Sequence, residues 1–502
     1  MSAGTSLKAL ATRRKFLAAA GAVAAMQTLP YVMRGEMTSN LALDAERPQF
    51  HLLPASNWMN DPNGPIYWNG RYHMFFQYNP HGATWGNMSW NHAVSLDMMH
   101  WTHLPLAMTP TPKSADSFGV FSGTALKVGK RVYFVYTGAV RDSAKATIMG
   151  DASRVQESQC LAWSDDPKLV NWTKDPQPVI PMPPPGMKIT GFRDPSPWKQ
   201  GDWYYLTVGS GEVTVGGCVL LYRSKDLKQW EYLHKLTSGE WNHKPTENPC
   251  DDGEMWECPD FFALDSGHVL IYSTMGKVYW QSGKLDEATM LFHPEKTGLL
   301  DFDAFYAPKT QLDAKGRRIL WGWIPERRSE AAMKAAGWSG IMSLPRVLTL
   351  DKDGTLRIRS LPQLSALRGA QLHVTEGKAV LAASNGEVLC VGGRTADFSL
   401  ILSAGKSELV RVSYSASRRS FRTAGDEIKL EVGDIPSIHL YADGSVLELI
   451  LGQRVGYTKR FYFGSSAAPD LTVQTTGAPV GLDAWSVKPI SGDRLTTPAI
   501  ST

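Results

Sequence analysis

One pattern constrains the fold of this chain more than any other: turn residues followed by an aromatic and β-branched run, repeated five times. Each copy is preceded by another short strand-like run, so each copy predicts a β-hairpin. In the first copy, Asn69-Gly70 is a strong signal for a type I′ turn. The copies are NGRYHMFFQY (69–78), GKRVYFVYTG (129–138), GDWYYLTVGS (201–210), SGHVLIYSTM (266–275) and KGRRILWGWI (315–324).

A second motif follows several of these hairpins and predicts a turn into the outer strand of a small sheet. Five four-stranded units, spaced at roughly 50 to 70 residues, favour a five-bladed β-propeller. An unrelated β-sandwich with recurring hairpins is the alternative, but it would not repeat both motifs in one order. The copies of the second motif are SLDMMHW (95–101), SDDPKLVNW (164–172), SKDLKQW (224–230) and a weaker SGKLDEATMLF (282–292).

The repeats stop near Leu350, and later segments such as IHLYADGSVLELIL (438–451) alternate like the strands of a sandwich. We therefore expect an all-β chain, with a five-bladed β-propeller followed by a C-terminal β-sandwich. The expected segments are a leader at 1–42, the propeller at 43–355, a linker at 356–369, the sandwich at 370–490 and a tail at 491–502.

Three acids stand at the start of the first strand of their blades: Asp61 in WMNDPNG, Asp194 in GFRDPSPW and Glu257 in MWECPDFF. The innermost strands of a propeller line its axis, so equivalent positions in successive blades should converge at one mouth of the channel. Converging carboxylates raise one another's pKa, and glycoside hydrolysis uses a set of converging carboxylates. Taken alone, Asp61 fits a turn, and Arg193 beside Asp194 fits a structural ion pair; the repeated placement favours a site.

These motifs resemble glycoside hydrolase family 32, which includes invertases, levanases, inulinases and related fructosyltransferases. WMNDPNG, WGNMSW, FSGTA, FRDP and WECPD occur in the family's order, and YADGSVLEL (441–449) is similar to a motif of its C-terminal sandwich. The resemblance implies that Asp61 is the nucleophile, Glu257 the general acid/base and Asp194 the transition-state stabiliser. It also implies a wall around the terminal fructosyl unit made of Asn60, Gln77, Trp85, Phe121, Ser122, Arg193, Asp303 and Tyr306.

The implied activity is that of a retaining hydrolase that releases terminal β-D-fructosyl units from sucrose, fructo-oligosaccharides or fructans such as levan and inulin. The reaction passes through a covalent fructosyl-enzyme intermediate and requires no metal or cofactor. Asp61 must be ionised to attack, and Glu257 must begin protonated, so we expect a raised pKa for Glu257. A narrow funnel bordered by Trp85, Phe121 and Trp256 favours removal of single units from the chain end.

Three other functions share parts of this pattern. A fructosyltransferase would use the same intermediate but pass the fructosyl unit to a sugar. An inverting five-bladed glycosidase acting on arabinose-type sugars would lack the NDPNG signature. A carbohydrate-binding propeller without catalysis would have no need of all three acids.

Charge and cysteine content argue against other classes of protein. The net charge of +4 includes Lys8, Arg13, Arg14 and Lys15, and no basic stripe remains to suggest a nucleic-acid partner. No apolar run reaches the ~20 residues of a membrane span. Five cysteines give no disulfide framework. Cys250, Cys258 and His243 could be a metal cluster, but their spacing matches no common zinc pattern.

The N-terminal stretch ATRRKFLAAAGAVAA (11–25) has the layout of a twin-arginine export signal, with paired arginines before a mildly apolar, alanine-rich run. A basic amphipathic helix is the alternative, but residues 18–25 offer no polar face. We therefore expect an exported protein, periplasmic or secreted.

Overall fold

The computed structural model of the chain describes residues 41, 43–147, 154–478 and 480–491. The predicted export signal at 11–25 lies outside these ranges. Within them, no helix is both long enough and apolar enough to cross a membrane.

Five antiparallel sheets form the blades of a propeller, and the first strand of each is the innermost. Blade one contains β1 (Asn57–Trp68), β2 (Arg71–Asn79), β3 (Ser89–Ser95) and β4 (Trp101–Met108). Blade two contains β5 (Gly119–Val128), β6 (Arg131–Val140), β7 (Gln156–Ser164) and β8 (Thr173–Lys174). Blade three contains β9 (Ile189–Gln200), β10 (Trp203–Glu212), β11 (Gly216–Ser224) and β12 (Glu231–Ser238).

Blades four and five complete the ring. Helix α1 (Pro249–Asp252) precedes blade four, which contains β13 (Glu257–Leu264), β14 (Gly267–Thr274), β15 (Lys277–Asp286) and β16 (Leu291–Asp303). Blade five begins with β17 (Tyr306–Leu312) and β18 (Arg318–Ile324), followed by helix α2 (Glu330–Ala336). The remaining strands before the sandwich are β19 (Trp338–Ser339), β20 (Ile341–Met342), β21 (Arg346–Leu350) and β22 (Leu356–Ser360).

The innermost strands contact one another in a closed circle: β1 with β5, β5 with β9, β9 with β13, β13 with β17, and β17 with β1. After blade five, β19 returns to pair in parallel with β1, where Asn57 lies opposite Trp338. Both contacts tie the last blade to the first, and the predicted five-bladed propeller is confirmed.

The predicted turns occupy their expected places. Asn69 and Gly70 both have positive φ, at 47° and 77°, as a type I′ turn requires. In the second motif, the Ser224 hydroxyl accepts hydrogen bonds from the backbone N–H groups of Asp226 and Leu227. The Ser95 hydroxyl accepts in the same way at the copy in blade one. This shared local geometry explains why the motif recurs before the outer strands.

Apolar side chains fill the space between neighbouring blades. Between blades one and two, Phe134 stacks on Trp172 with ring centroids 3.6 Å apart. Between blades three and four, Trp256 stacks on Tyr272 at 3.8 Å. The expectation that Trp256 narrows the funnel is wrong, because its ring is buried in this layer between the blades.

The sandwich consists of two packed sheets whose facing side chains form one core. Its strands are β23 (Arg368–Gln371), β24 (Lys378–Leu381), β25 (Asn385–Val391), β26 (Phe398–Ala404), β27 (Ser407–Ser415), β28 (Ser420–Thr423), β29 (Asp426–Lys429), β30 (Ser437–Asp443), β31 (Val446–Leu451), β32 (Val455–Arg460), β33 (Leu471–Gly477) and β34 (Gly481–Val487). Every residue of β31 is buried, since one face packs on the second sheet and the other on the propeller.

The expected linker at 356–369 is largely taken up by strands and a 3₁₀ turn, and the propeller and the sandwich are joined by strand pairing. β22 pairs with β21 as the outer strand of blade five, so only the 3₁₀ turn Pro362–Leu367 separates the last propeller strand from β23. β16 of blade four also pairs in parallel with β32 of the sandwich. One ten-stranded sheet therefore runs from the propeller into the sandwich.

A buried ion network lies where the two units meet. His51 Nδ1 lies 2.7 Å from Asp443 Oδ2, and His51 Nε2 lies 2.9 Å from Glu448 Oε1. Arg346 donates to Glu448 Oε2 at 2.6 Å and to Asp301 Oδ2 at 2.5 Å. Asp443 and Glu448 belong to the sandwich, whereas the other three residues come from the propeller side. Because unpaired buried charges are costly, each unit needs the other.

His51 should make stability depend on pH. Burial alone would lower its pKa, but the bonds with Asp443 and Glu448 raise the pKa to about 9. The stabilisation is therefore complete below the unfolded pKa of ~6.5 and is lost as pH rises toward about 9. We expect the difference in unfolding free energy between wild type and His51→Gln to be about 3 kcal/mol larger at pH 6 than at pH 9.5.

Urea unfolding of both proteins at the two pH values measures this difference. His100→Gln is a matched control, because His100 is an exposed histidine beside Asp97, and it should change stability by less than about 0.5 kcal/mol. A difference for His51→Gln that stays constant with pH would mean that folding leaves the pKa of His51 unchanged, and a difference that is smaller at pH 6 would mean that His51 is neutral in the folded protein.

Candidate active site

A cavity of about 460 Å³ opens at one mouth of the propeller axis, and residues from all five blades line it. Beyond the cavity, axial residues such as Asn63, Asp260 and Lys309 are buried, so side chains fill the channel there. Ten residues proposed from the sequence line the wall: Asn60, Asp61, Gln77, Trp85, Phe121, Ser122, Arg193, Asp194, Glu257 and Tyr306.

A β-bulge at the cavity in every innermost strand explains why side chains converge there. In blade one, Asn60 and Asp61 together oppose the single residue Gln77. Bulged residues leave the regular ladder, which redirects their side chains. Proline, which has no N–H, fits such positions. The bulges of the other blades are Phe121-Ser122, Asp194-Pro195, Cys258-Pro259 and Ala307-Pro308.

The three acids occupy successive positions around the bulge. Glu257 directly precedes the bulge of blade four, Asp194 is the first bulge residue of blade three, and Asp61 is the second bulge residue of blade one. The expectation of strictly equivalent positions is therefore wrong by one residue at each step. The offsets still bring Asp61, Asp194 and Cys258 together, with one carboxylate oxygen or sulfur of each within 4.8 Å of the others.

Asp61 is fixed by side chains of blades one and two. Its Oδ2 accepts a 2.6 Å hydrogen bond from the Ser122 hydroxyl, and its Oδ1 accepts one of 3.1 Å from Asn60. Trp58 Nε1 donates to Asn60 Oδ1 at 2.7 Å, which orients that amide. Burial and the nearby Asp194 carboxylate raise the pKa of Asp61 to about 6, although the bond from Ser122 opposes the shift.

Asp194 is held by backbone and sulfur. Its Oδ2 accepts a 2.9 Å hydrogen bond from the Cys258 N–H, and its own N–H donates to Thr137 Oγ1 at 2.9 Å. Cys258 Sγ lies 3.4 Å from Asp194 Oδ2 and 3.5 Å from Asp61 Oδ2. Burial raises the pKa of the Cys258 thiol, so the sulfur stays protonated and can donate to either carboxylate. Burial also raises the pKa of Asp194, against the charge of Arg193.

Glu257 is paired with Arg193. Its Oε1 accepts from Arg193 Nη2 at 2.8 Å and from Nε at 3.1 Å, and its Oε2 accepts from the Tyr306 hydroxyl at 2.8 Å. Burial would raise the pKa of Glu257, but the charge and hydrogen bonds of Arg193, with Tyr306, hold it below the usual range. The expected raised pKa is therefore wrong for this arrangement of the site.

Several residues of the site were missed by the sequence analysis. Glu157 is buried and bonds Arg193 Nη1 at 3.2 Å through Oε1, while its Oε2 accepts from the Phe192 N–H at 2.7 Å. Cys250 Sγ lies 3.2 Å from Arg193 Nη2. Glu157 follows a loop without a recognisable motif, so nothing in its neighbourhood signalled it. Cys258 stood inside WECPD and could have been proposed from that position.

Two expected sites look different in the structure. Asp303 does not line the cavity; its partly exposed carboxylate lies 3.6 Å from Arg327. Of the alternative metal cluster, His243 is exposed beside Trp241, whereas Cys250 faces the guanidinium of Arg193. These three residues therefore do not form a common ligand set.

The rim of the cavity combines aromatic rings and charge. Trp85 is half exposed, and its ring centroid lies 6.1 Å from that of Phe121. Arg141 stacks over Phe118 at 4.2 Å. Asp251, on α1, lines another part of the wall. Flat rings around a polar floor suit a sugar, whose faces are apolar and whose edges carry hydroxyls.

Comparison with known proteins agrees with this geometry. A family model described as the glycosyl hydrolases family 32 N-terminal domain matches residues 51–360, which include all five blades. The acid β-fructofuranosidase of Phaseolus vulgaris is 37% identical over 388 residues, which cover 71% of this chain and 56% of that protein. The chain thus spans about half the length of the plant relatives that it matches.

Solved structures extend the similarity to both units. The Bombyx mori GH32 β-fructofuranosidase BmSUC1 superposes with a TM-score of 0.75 at 27% identity, covering 91% of this chain and 97% of that one. Fructan 1-exohydrolase IIa from Cichorium intybus gives a TM-score of 0.73 at 28% identity, covering 89% and 98%. With its matching family model and this shared architecture, the chain belongs to glycoside hydrolase family 32.

Proposed function

We propose that this protein is a retaining glycoside hydrolase that releases terminal β-D-fructosyl units from sucrose, fructo-oligosaccharides or fructans. The observation that carries the proposal is the convergence of Asp61, Asp194 and Glu257 in one cavity at the mouth of the propeller axis. The names of the relatives, β-fructofuranosidase and fructan exohydrolase, support the same substrate class.

In the proposed reaction, the Asp61 carboxylate attacks C2 of the fructosyl ring while the C2–O bond to the leaving group breaks. Glu257 gives its proton to the departing oxygen. Water then attacks C2 of the fructosyl-enzyme, Glu257 takes a proton from that water, and the bond to Asp61 breaks. Asp194 accepts hydrogen bonds from fructose hydroxyls, and these bonds strengthen as charge develops on the ring.

The proton count of the site suits this reaction. As pH falls through about 6, Asp61 takes up a proton because its pKa is raised, while Arg193 keeps Glu257 ionised. The reactive form has the same number of protons, with the proton on Glu257 and Asp61 ionised. Substrate binding therefore needs only to move a proton within the cluster, and a substrate oxygen that weakens the Arg193–Glu257 pair would favour that transfer.

The shape of the cavity supports attack at chain ends. Its floor is filled by buried side chains, and Trp85, Phe121 and Trp323 stand in its wall. A volume of about 460 Å³ suits a small ligand rather than the middle of a polymer. We therefore infer that one terminal fructosyl unit enters at a time.

We expect purified protein to release free fructose from sucrose, levan and inulin, with no fructo-oligosaccharide ladder at low conversion. Chromatography of early time points measures the products, and proton NMR reports the first anomer of fructose, which should be β because the mechanism retains configuration. A ladder would favour an open groove and attack within chains. Longer oligosaccharides at high sucrose concentration would favour transfer over hydrolysis.

Asp61→Asn should lower kcat by ~10⁴-fold or more, because the amide cannot form the covalent intermediate. The thermal midpoint should stay the same or rise, since the change removes one of several mutually repelling buried acids. Asp202→Asn, at an exposed turn of blade three, is the control and should leave both quantities unchanged. Near-normal kcat in folded Asp61→Asn would contradict the mechanism.

Glu257→Ala should impair cleavage of sucrose far more than cleavage of a fructoside with an acidic leaving group. The departing oxygen of sucrose needs a proton, whereas an activated leaving group departs as an anion. Single-turnover rates on both substrates separate bond cleavage from later steps. Equal losses on the two substrates would argue that Glu257 is not the acid.

We further infer that the protein is exported through the twin-arginine route, on the basis of Arg13, Arg14 and the alanine-rich run after them. Replacing both arginines by lysine should leave the activity in the cytoplasm of a bacterial host. Fractionation of cells that express each form measures this, and unchanged export would rule the signal out.

A further inference from the structure

Lys309 is a buried cation that the proposed reaction does not use. It lies on β17, one residue beyond the bulge Ala307-Pro308, and its side chain is inaccessible to solvent. Its Nζ donates a 2.9 Å hydrogen bond to the carbonyl oxygen of Pro259. Within the described ranges, no carboxylate lies within 4.0 Å of this ammonium group.

The hydrogen bond ties this charge to the bulge of blade four, which contacts two of the acids. Pro259 is the second bulge residue of blade four, and its neighbour Cys258 donates through its N–H to Asp194 and contacts Asp61 and Asp194 through its sulfur. Lys309 does not line the cavity, so it acts from beneath the acids rather than on a bound sugar. Its charge favours the ionised form of Asp194 and so lowers the pKa of that carboxyl, against the effect of burial.

A neutral side chain would satisfy the same hydrogen bond. The amide of glutamine also donates to a carbonyl oxygen, whereas burying an ammonium group is unfavourable unless other charges compensate it. The nearby carboxylate of Asp260 is already engaged by Ser196 Oγ and by the N–H and hydroxyl of Thr310. Asp194 on β9 and Cys258 on β13 both feel the charge of Lys309. Asp194 also interacts with Arg193 on β9, with Glu257 on β13 and with Asp61 on β1, whereas Asp260 on β13 interacts with Arg318 on β18.

We propose that Lys309 is a positioning residue, a fixed positive charge beneath the bulges that keeps Asp194 anionic while Glu257 carries the proton of the cluster. The proposal rests on the proposed hydrolysis. It assigns the two cations of the site separate tasks. Arg193 faces the cavity and can exchange partners when a sugar enters, whereas Lys309 is inaccessible and its charge stays in place.

The test compares Lys309→Met, which removes the charge and the donor, with Lys309→Gln, which removes the charge but keeps a donor. In both variants the acidic limb of the pH profile of kcat/KM for sucrose should move to higher pH by about one unit, because loss of the positive charge raises the pKa of the nearby carboxyl. Lys309→Arg should keep the wild-type limb. Lys130→Met, an exposed lysine in a turn of blade two, is the control for a change of net charge and should leave the limb in place.

Two outcomes would overturn the proposal: an unmoved limb in Lys309→Met, or a shift in Lys309→Met that is absent in Lys309→Gln. The second outcome would assign the effect to the hydrogen bond with Pro259. Wild type that fails to hydrolyse any fructoside would contradict the proposed function instead, and the next measurement would then decide about Lys309.

That measurement is stability, which needs no substrate. If the burial of Lys309 depends on the carboxylates, then Lys309→Met should lower the thermal midpoint less in an Asp194→Asn background than in wild type. The double variant should fold even where Lys309→Met alone does not. Equal losses in both backgrounds, or failure of the double variant to fold, would show that the lysine and the acids are independent.

Discussion

The burial of several carboxylates at one point is the constraint on which the rest of this structure depends. Asp61, Asp194, Glu257 and Glu157 share one cavity, where like charges oppose one another and burial disfavours every ionised form. The chain offsets this cost with directed donors and with Arg193, held between Glu157 and Glu257. Such an arrangement persists only in a rigid frame, and the closed circle of inner strands, with apolar layers between the blades, provides it.

The bulges turn a repeated fold into an asymmetric site. Five equal strands would place five equal residues around the axis, yet the proposed hydrolysis needs one carboxyl that attacks and another that gives a proton. Because the three acids are offset by one residue along their bulges, each has different partners. Asp61 accepts from a hydroxyl and an amide, Asp194 from a backbone N–H, and Glu257 from a guanidinium. The differences in proton affinity among the acids follow from these partners, since all three acids line the same cavity.

The repeats made the propeller predictable, because hairpin turns such as Asn69-Gly70 and the serine turn at Ser224 depend on local residues. The motifs around the three acids made most of the cavity wall predictable. The pairing of Arg193 with Glu257 was not, because it joins strands of two blades and depends on a one-residue offset that spacing does not reveal. Trp256 was misplaced for a related reason: its position beside Glu257 does not tell which side of the strand its ring takes.

The sandwich contributes to the site through strand pairing only a few residues away from Tyr306. Its strand β32 pairs with the end of β16, placing Thr458 opposite Asp303, and the Ala304 N–H donates to the Thr458 carbonyl at 2.8 Å. Two residues further along, Tyr306 donates to Glu257. The chain between these points is too short to move independently, so the pairing with the sandwich fixes where the tyrosine hydroxyl lies. The second unit therefore helps to set the proton affinity of an acid that it never touches.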